Sequence, residues 1–161
     1  MRLGVMSDTH NHLGNVRRIV ALLNEAGVDR VVHTGDITQP KTLEALAALE
    51  APLFGVFGNN DLERDGLDAA CARHGQHFVD PPLRVEWHGR RIVVVHDPAE
   101  LGPSLLREAD VALHGHDHAH TDETRHGARV FNPGECAGHL KGHNQIGILD
   151  LDRLGTEILR F

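Results

Sequence analysis

Three times in its first half the chain repeats one pattern: a short apolar run, a polar break, then apolar residues at helical spacing. Residues 3–6 are apolar, Ser7-Asp8-Thr9-His10 breaks the run, and Leu13, Val16, Val20 and Leu23 recur at three- and four-residue intervals up to Gly27. The second round is Val31-Val32, a loop through Gly35-Asp36, and a helix started near Pro40 that carries Leu43, Leu46 and Leu49. The third is residues 53–57, the break Gly58-Asn59-Asn60-Asp61, and a helix from about residue 63 to His74, stopped by Gly75. Strands joined by helices run parallel with right-handed crossovers, which commits this half to a parallel sheet.

The second half is richer in strands. Residues 83–87 and 91–95 flank a turn at 88–90 and predict a hairpin, followed by a short helix over about 99–109 and a strand over 111–113. Residues 128–131, 145–151 and 156–159 read as further strands, the last two joined at 152–155. With 161 residues, of which 40% are hydrophobic, there is material for one core, not for two domains or a (β/α)8 barrel. Apolar strands covered on both sides fit an α/β, four-layer αββα sandwich, two mixed β-sheets flanked by helices, in a single domain over residues 1–161.

Sixteen Lys plus Arg against 23 Asp plus Glu give a net charge of -7, which argues against a groove for polymeric nucleic acid. Cys71 and Cys136 stand far apart and suggest neither a disulfide framework nor a thiolate zinc site. No apolar run approaches the roughly 20 residues that span a bilayer, and strand-like sequence from Arg2 leaves no room for a signal peptide. The expectation is a soluble, cytoplasmic protein without a membrane partner, for which a homo-oligomer stays open. The compositional outlier is histidine, at 14 residues in a chain with no Tyr and one Trp.

Placement decides what those histidines mean. Asp8 and His10 follow the first strand, Asp36 the second, Asn59 the third, His96 the strand ending at residue 95, and His116 and His118 the strand ending at 113. In open α/β sheets ligands bind at the carboxyl ends of the strands, so these seven would meet on one rim. A DxH or a GD alone is noise, whereas GNxD, GHxH and NPG, each far rarer by composition, all occur after predicted strands. Carboxylates, imidazoles and an amide oxygen without thiolates suit Mn²⁺, Fe or Zn²⁺, and seven donors exceed what one tetrahedral ion uses. Two ions follow, with a carboxylate such as Asp36 placed to bridge them.

Asp8-Thr9-His10, Gly35-Asp36, Gly58-Asn59-Asn60-Asp61, His96 and Gly115-His116-Asp117-His118 together resemble the ordered signature of the calcineurin-like metallophosphoesterases. Small size and a terminal Asn132-Pro133-Gly134 resemble their compact, cap-less bacterial and archaeal phosphodiesterase branch. The resemblance implies two divalent ions, Mn foremost, with Fe, Zn, Ni or Mg as other occupants. It implies that Asp8, His10, Asp36 and His118 hold one ion and Asp36, Asn59, His96 and His116 the other. It also implies a phosphoesterase, foremost a phosphodiesterase, that hydrolyses a small phosphate ester by in-line attack of a metal-bridging hydroxide. Two dications, two aspartates and a hydroxide leave about +1 to meet a phosphate anion.

Three positions depart from the family pattern. Asn60 stands where GNHD has His; an amide can donate to a phosphoryl oxygen but cannot act as a general acid, and Asp61 would orient it. Asp97 follows His96 where Gly is usual; it either repels a dianionic monoester and favours a diester, or turns outward in an Asp-Pro turn. Glu135 replaces the Ser of NPGS and reads as a solvated loop residue, while Cys136 reads as a packed side chain. His33 and His114 are expected to pack or to orient ligands, His12 and His143 to lie on the surface, and His139 has no assigned role.

Two other hydrolase classes fit worse. Amidohydrolases place HxH after the first strand of a barrel of roughly 250 residues, and HD-type phosphohydrolases are helical. The serious alternative is a non-catalytic metal-binding scaffold, because the chain is similar in size and pattern to the eukaryotic retromer scaffold subunit. There the ligand positions are degraded, and here all seven keep a donor atom.

Overall fold

The computed structural model describes residues 1–139 and 142–161. The first half alternates β1 (Arg2–Met6), α1 (Leu13–Ala26), β2 (Arg30–His33), α2 (Pro40–Leu46), β3 (Leu53–Val56), α3 (Arg64–His74) and β4 (His77–Val79). The second half comprises β5 (Leu83–Trp87), β6 (Arg90–Val94), a 3-10 turn (Pro98–Glu100), α4 (Pro103–Arg107), β7 (Val111–Leu113), β8 (Thr121–Arg125), β9 (Ala128–Asn132), β10 (Gln145–Asp150) and β11 (Gly155–Arg160).

The strands form two mixed sheets, ordered β11-β10-β1-β2-β3-β4 and β5-β6-β7-β9-β8. β1 to β4 pair in parallel and β10 runs antiparallel to β1; in the second sheet β6, β7 and β9 are parallel between antiparallel edges. Alternation along each strand divides the side chains between two layers. Leu3, Val5, Val32 and Val56 face Ile92, Val94, Leu113 and Phe131 of the other sheet. On the opposite side, Met6 and Val31 meet Val16, Ile19 and Leu23 of α1. Val93, Val95 and Ala112 are covered by Leu101 and Leu106, which completes the four layers. Each such fully buried aliphatic side chain contributes about 1.5–3 kcal/mol.

Two elements differ from the expectation. The helix over 99–109 is split, because Pro103 cannot donate within a helix and holds Gly102 extended (φ -68°, ψ 161°), so a 3-10 turn precedes it and α4 starts on it. β4 and β8 are additional strands; β4 has three residues and Thr121-Asp122-Glu123-Thr124-Arg125 is polar, both being edge strands that lack the hydrophobic alternation by which strands are read. β1, β2 and β3 in one sheet and β6 and β7 in the other end on the same rim, where five loops converge.

Candidate metal centre

The rim loops are tied to one another by their backbones. Asp8 N donates to Gly35 O (3.1 Å), His10 N to Asp36 O (3.1 Å), and Gly115 N to His96 O (3.0 Å). His116 N donates to Asp8 Oδ2 (3.0 Å), linking the first and last loops across 108 residues. The fit is close: a Cβ on Gly115 would lie 2.7 Å from Thr34 Oγ1 and 2.8 Å from Asp8 Oδ2, so the GHxH loop approaches Asp8 only because residue 115 has no side chain.

Asp8 and Asp36 occupy the middle. Ser7 Oγ donates to Asp8 Oδ2 and receives a bond from Thr34 Oγ1 (2.6 Å), which fixes that side of the carboxylate. The other oxygen, Oδ1, lies 3.6 Å from His118 Nε2 and 3.8 Å from His10 Nε2. Asp36 divides its oxygens: Oδ2 is 3.3 Å from His10 Nε2 and Oδ1 is 3.5 Å from His96 Nε2. Beside it, Asn59 Oδ1 is 2.9 Å from His96 Nε2 and 3.1 Å from His116 Nδ1, and those two nitrogens are 3.3 Å apart.

These donors fit metal ions. Asp8 Oδ1 and His10 Nε2 are buried and meet only long ion-pair contacts of 3.3–3.8 Å, to each other and to Asp36 and His118, which leaves room for a cation between them. His96 Nδ1 sits 2.9 Å from Thr34 O, which places the ring proton on Nδ1 and leaves Nε2 a bare lone pair among Asn59, Asp36 and His116. One ligand atom each from Asp8, His10 and His118 lies within 4.8 Å of the others, and the same holds for Asp8, Asp36 and His96.

Electrostatics separate the groups. Burial raises both aspartates, but His10 with Ser7 for Asp8, and His10 with Asn60 for Asp36, outweigh it and hold both below the usual carboxylate range. Asp36 and then Asp8 raise His10 to about 9. Burial pushes His33 down to about 4 and Cys136 up to about 12, so the latter is an inert packed thiol, as expected.

Asp61, Asn60, Asp97 and Glu135 are each engaged within the protein. Asp61 does not orient Asn60; its carboxylate accepts from the backbone N–H groups of Gly58 (2.6 Å), Thr38 (2.6 Å) and Asp36 (3.1 Å), clamping the second and third loops together. Asn60 gives its amide to Asp36 Oδ2 (2.7 Å) and its backbone N–H to Asp36 Oδ1 (3.0 Å). Asp97 caps the 3-10 turn through Ala99 N (2.8 Å) and also lines a cleft of about 350 Å³ beside Asn59, His96 and His116. Glu135 is not solvated: it is 2% exposed and accepts the His139 N–H.

Sequence reasoning missed several of these neighbours. Arg64, Asp80 and Glu100 line the same cleft; Arg64 pairs with Asp80 (2.7 Å) and lies 3.7 Å above the Phe57 ring. Ser7 and Thr34 sit inside the motif loops, where a hydroxyl beside DxH and GD is the one available signal. His33 and His114 are buried, and His12 caps α1 through Asn15 N (3.1 Å).

Residues 1–154 match the calcineurin-like phosphoesterase superfamily domain. Phosphodiesterase MJ0936 of Methanocaldococcus jannaschii is 33% identical over 160 residues, 95% of each chain. Phosphodiesterase YfcE of Escherichia coli K12 is 27% identical over 179 residues, with 97% of this chain and 91% of that protein covered. The solved structure of an archaeal phosphodiesterase superposes over 100% of both chains with a TM-score of 0.92 and 30% identity. With the ordered motifs on one rim and nearly its whole length matched, the chain belongs to the calcineurin-like phosphoesterase superfamily.

Proposed function

We propose that the protein is a dinuclear metal-dependent phosphodiesterase acting on a small phosphate ester. The observation that carries this reading is Asp36, which stands between the two groups of donors, with Oδ2 3.3 Å from His10 Nε2 and Oδ1 3.5 Å from His96 Nε2, so that one carboxylate could serve both ions. Asp8, His10, Asp36 and His118 would hold one ion; Asp36, Asn59, His96 and His116 the other. Two divalent ions there supply a nucleophile at neutral pH and positive charge opposite the phosphoryl oxygens. The mixed oxygen and imidazole donors without thiolate suit Mn²⁺, Fe or Zn²⁺, and the family resemblance puts Mn²⁺ first.

The chain's own groups prepare the site. Asp61 fixes the two loops that carry Asp36 and Asn59, and Thr34 O fixes the His96 tautomer. The cleft beside His96 and His116 would receive the leaving group. Asp80, Asp97 and Glu100 line it, and its Arg64 is already paired with Asp80. Carboxylates there disfavour a dianionic monoester more than a monoanionic diester, which supports the diester preference. Asn60 has no proton to give, so leaving groups that depart unprotonated, such as nitrophenolates, are favoured.

Hydrolysis of bis-p-nitrophenyl phosphate with Mn²⁺ tests the reading. Activity is expected to vanish on chelation and to fall by about 10³-fold or more in Asp36→Ala and Asn59→Ala. A folded, metal-loaded protein that is inactive would return the scaffold reading. Faster hydrolysis of p-nitrophenyl phosphate than of the bis ester would overturn the diester preference.

A further inference from the structure

One group of metal-ligating side chains joins one of the seven family positions, His118, to two residues outside them, Glu135 and His139. His118, Glu135 and His139 each bring a ligand atom within 4.8 Å of the other two. The His118 and His139 rings stack with centroids 5.3 Å apart and planes at 18°, and His139 also stands 5.4 Å from the His10 ring. Glu135 is 2% exposed and accepts the His139 backbone N–H, so the buried carboxylate also shapes the loop that presents the exposed imidazole.

We propose that His118, Glu135 and His139 form an accessory site for a divalent first-row cation on the outer edge of the dinuclear centre. Two imidazoles and one carboxylate suit borderline ions such as Zn²⁺ or Co²⁺ better than Mg²⁺ or Ca²⁺. The inference rests on the dinuclear reading through one residue, because His118 Nε2 also faces Asp8 Oδ1 (3.6 Å). A neutral imidazole has one free lone pair, so with all three ions bound His118 serves only one of them, and Glu135 and His139 hold the accessory ion when His118 stays with the inner one. The accessory cation therefore binds more weakly than the inner pair, and exposure of His139 places it where an incoming ion first meets the protein.

Equilibrium dialysis of the whole, metal-stripped protein against Zn²⁺ at pH 7.5, with bound metal counted by elemental analysis, tests this. Wild type is expected to hold three equivalents, the third lost at about tenfold higher residual free zinc than the other two. His139→Ala removes an exposed ligand, and Glu135→Gln keeps an acceptor for the His139 N–H; each is expected to hold two. His126→Ala, in the distant β8–β9 turn, is expected to hold three and controls for adventitious surface histidines. A wild type that stops at two equivalents, or a third that survives in both site variants, overturns the proposal. The dinuclear reading fails on a different result: Asp36→Ala binding as many equivalents as wild type.

Discussion

His33 provides a pH-dependent test of how the metal loops are held. It ends β2 with no exposed surface, and its two ring nitrogens serve two different loops. Gly35 N donates to Nδ1 (3.1 Å), which leaves the proton on Nε2 to be donated to Thr9 Oγ1 (3.0 Å). One neutral tautomer thus ties the Asp8–His10 loop to the Asp36 loop. Protonating Nδ1 would set two donors against each other, and burial already disfavours the charged ring, which brings its pKa down from 6.5 to about 4. A depressed folded-state pKa contributes stability that is fully present above 6.5 and is lost as pH falls through that window to about 4. Between pH 7 and pH 5 the loss is about 2 kcal/mol from this one group.

His33→Asn is the informative perturbation, because the amide oxygen can still accept from Gly35 N while the Thr9 contact and the titration are gone. At pH 7 it is expected to cost about 1–3 kcal/mol for the lost bond and ring volume. Urea unfolding of the metal-stripped proteins at pH 7 and pH 5 gives the comparison, provided the denaturant slope is common to both. All other titrating groups cancel in the difference, so wild type should lose about 2 kcal/mol more than the variant on acidification. Parallel losses would refute both the buried neutral tautomer and its role in tying the loops.

His10, raised to about 9, holds a proton at neutral pH that an ion must displace; its own contribution to metal-free stability is present below 6.5 and lost as pH rises through 9. Calorimetric titration with Mn²⁺ at pH 7.5 in two buffers of different ionisation enthalpy should therefore show about one proton released, with affinity rising up to tenfold per pH unit toward 9. Gly115→Ala would push a methyl against Ser7 Oγ, Thr34 Oγ1 and Asp8 Oδ2; denaturation should show a loss of about 1–3 kcal/mol, and metal binding should weaken with it. Asn60→His restores a proton donor, so the rate on alkyl relative to aryl diesters should rise by about 10-fold or more, and an unchanged ratio would remove the leaving-group explanation.

The parts of the fold that could be read from sequence are those where apolar spacing and punctuation agree. α1 ends at Ala26 with Gly27 in the left-handed conformation (φ 60°), and α3 ends at His74 with Gly75 likewise (φ 65°). Polar β8 has no such signature, because an edge strand with one neighbour gains from charge and loses from apolar alternation. In the site, the order of Asp8, His10, Asp36, Asn59, His96, His116 and His118 is readable because each follows a strand. Glu135 was not readable as buried: its sequence neighbours are loop residues, and its burial depends on a fold of the 135–139 backbone that no periodicity records. The cleft residues Arg64 and Asp80 are paired across 16 positions, and neither stands in a motif.

Backbone conformation supplies what residue identity could not. Asp8, His10, Asp36, His116 and His118 all have φ between 41° and 73°, a region that costs a non-glycine residue about 1 kcal/mol or more. Had residues 8 and 10, or 116 and 118, continued their strands, the two side chains of each pair would stand nearly 7 Å apart along one face. The left-handed turns fold the chain back instead, so that His10 Nε2 comes 3.8 Å and His118 Nε2 3.6 Å from the same oxygen of Asp8. That conformation is retained because the loops over-determine one another: Asp8 and His10 donate to the Asp36 loop, His116 donates to Asp8, and Asp61 takes three N–H groups from the Asp36 and Asn59 loops. Each bond contributes about 1 kcal/mol, comparable to the strain at one residue. The negative charge of the chain is therefore compatible with a phosphate substrate: strain and stitching concentrate Asp8 and Asp36 against four imidazoles at one rim, where bound cations, not the net charge, would set the local field.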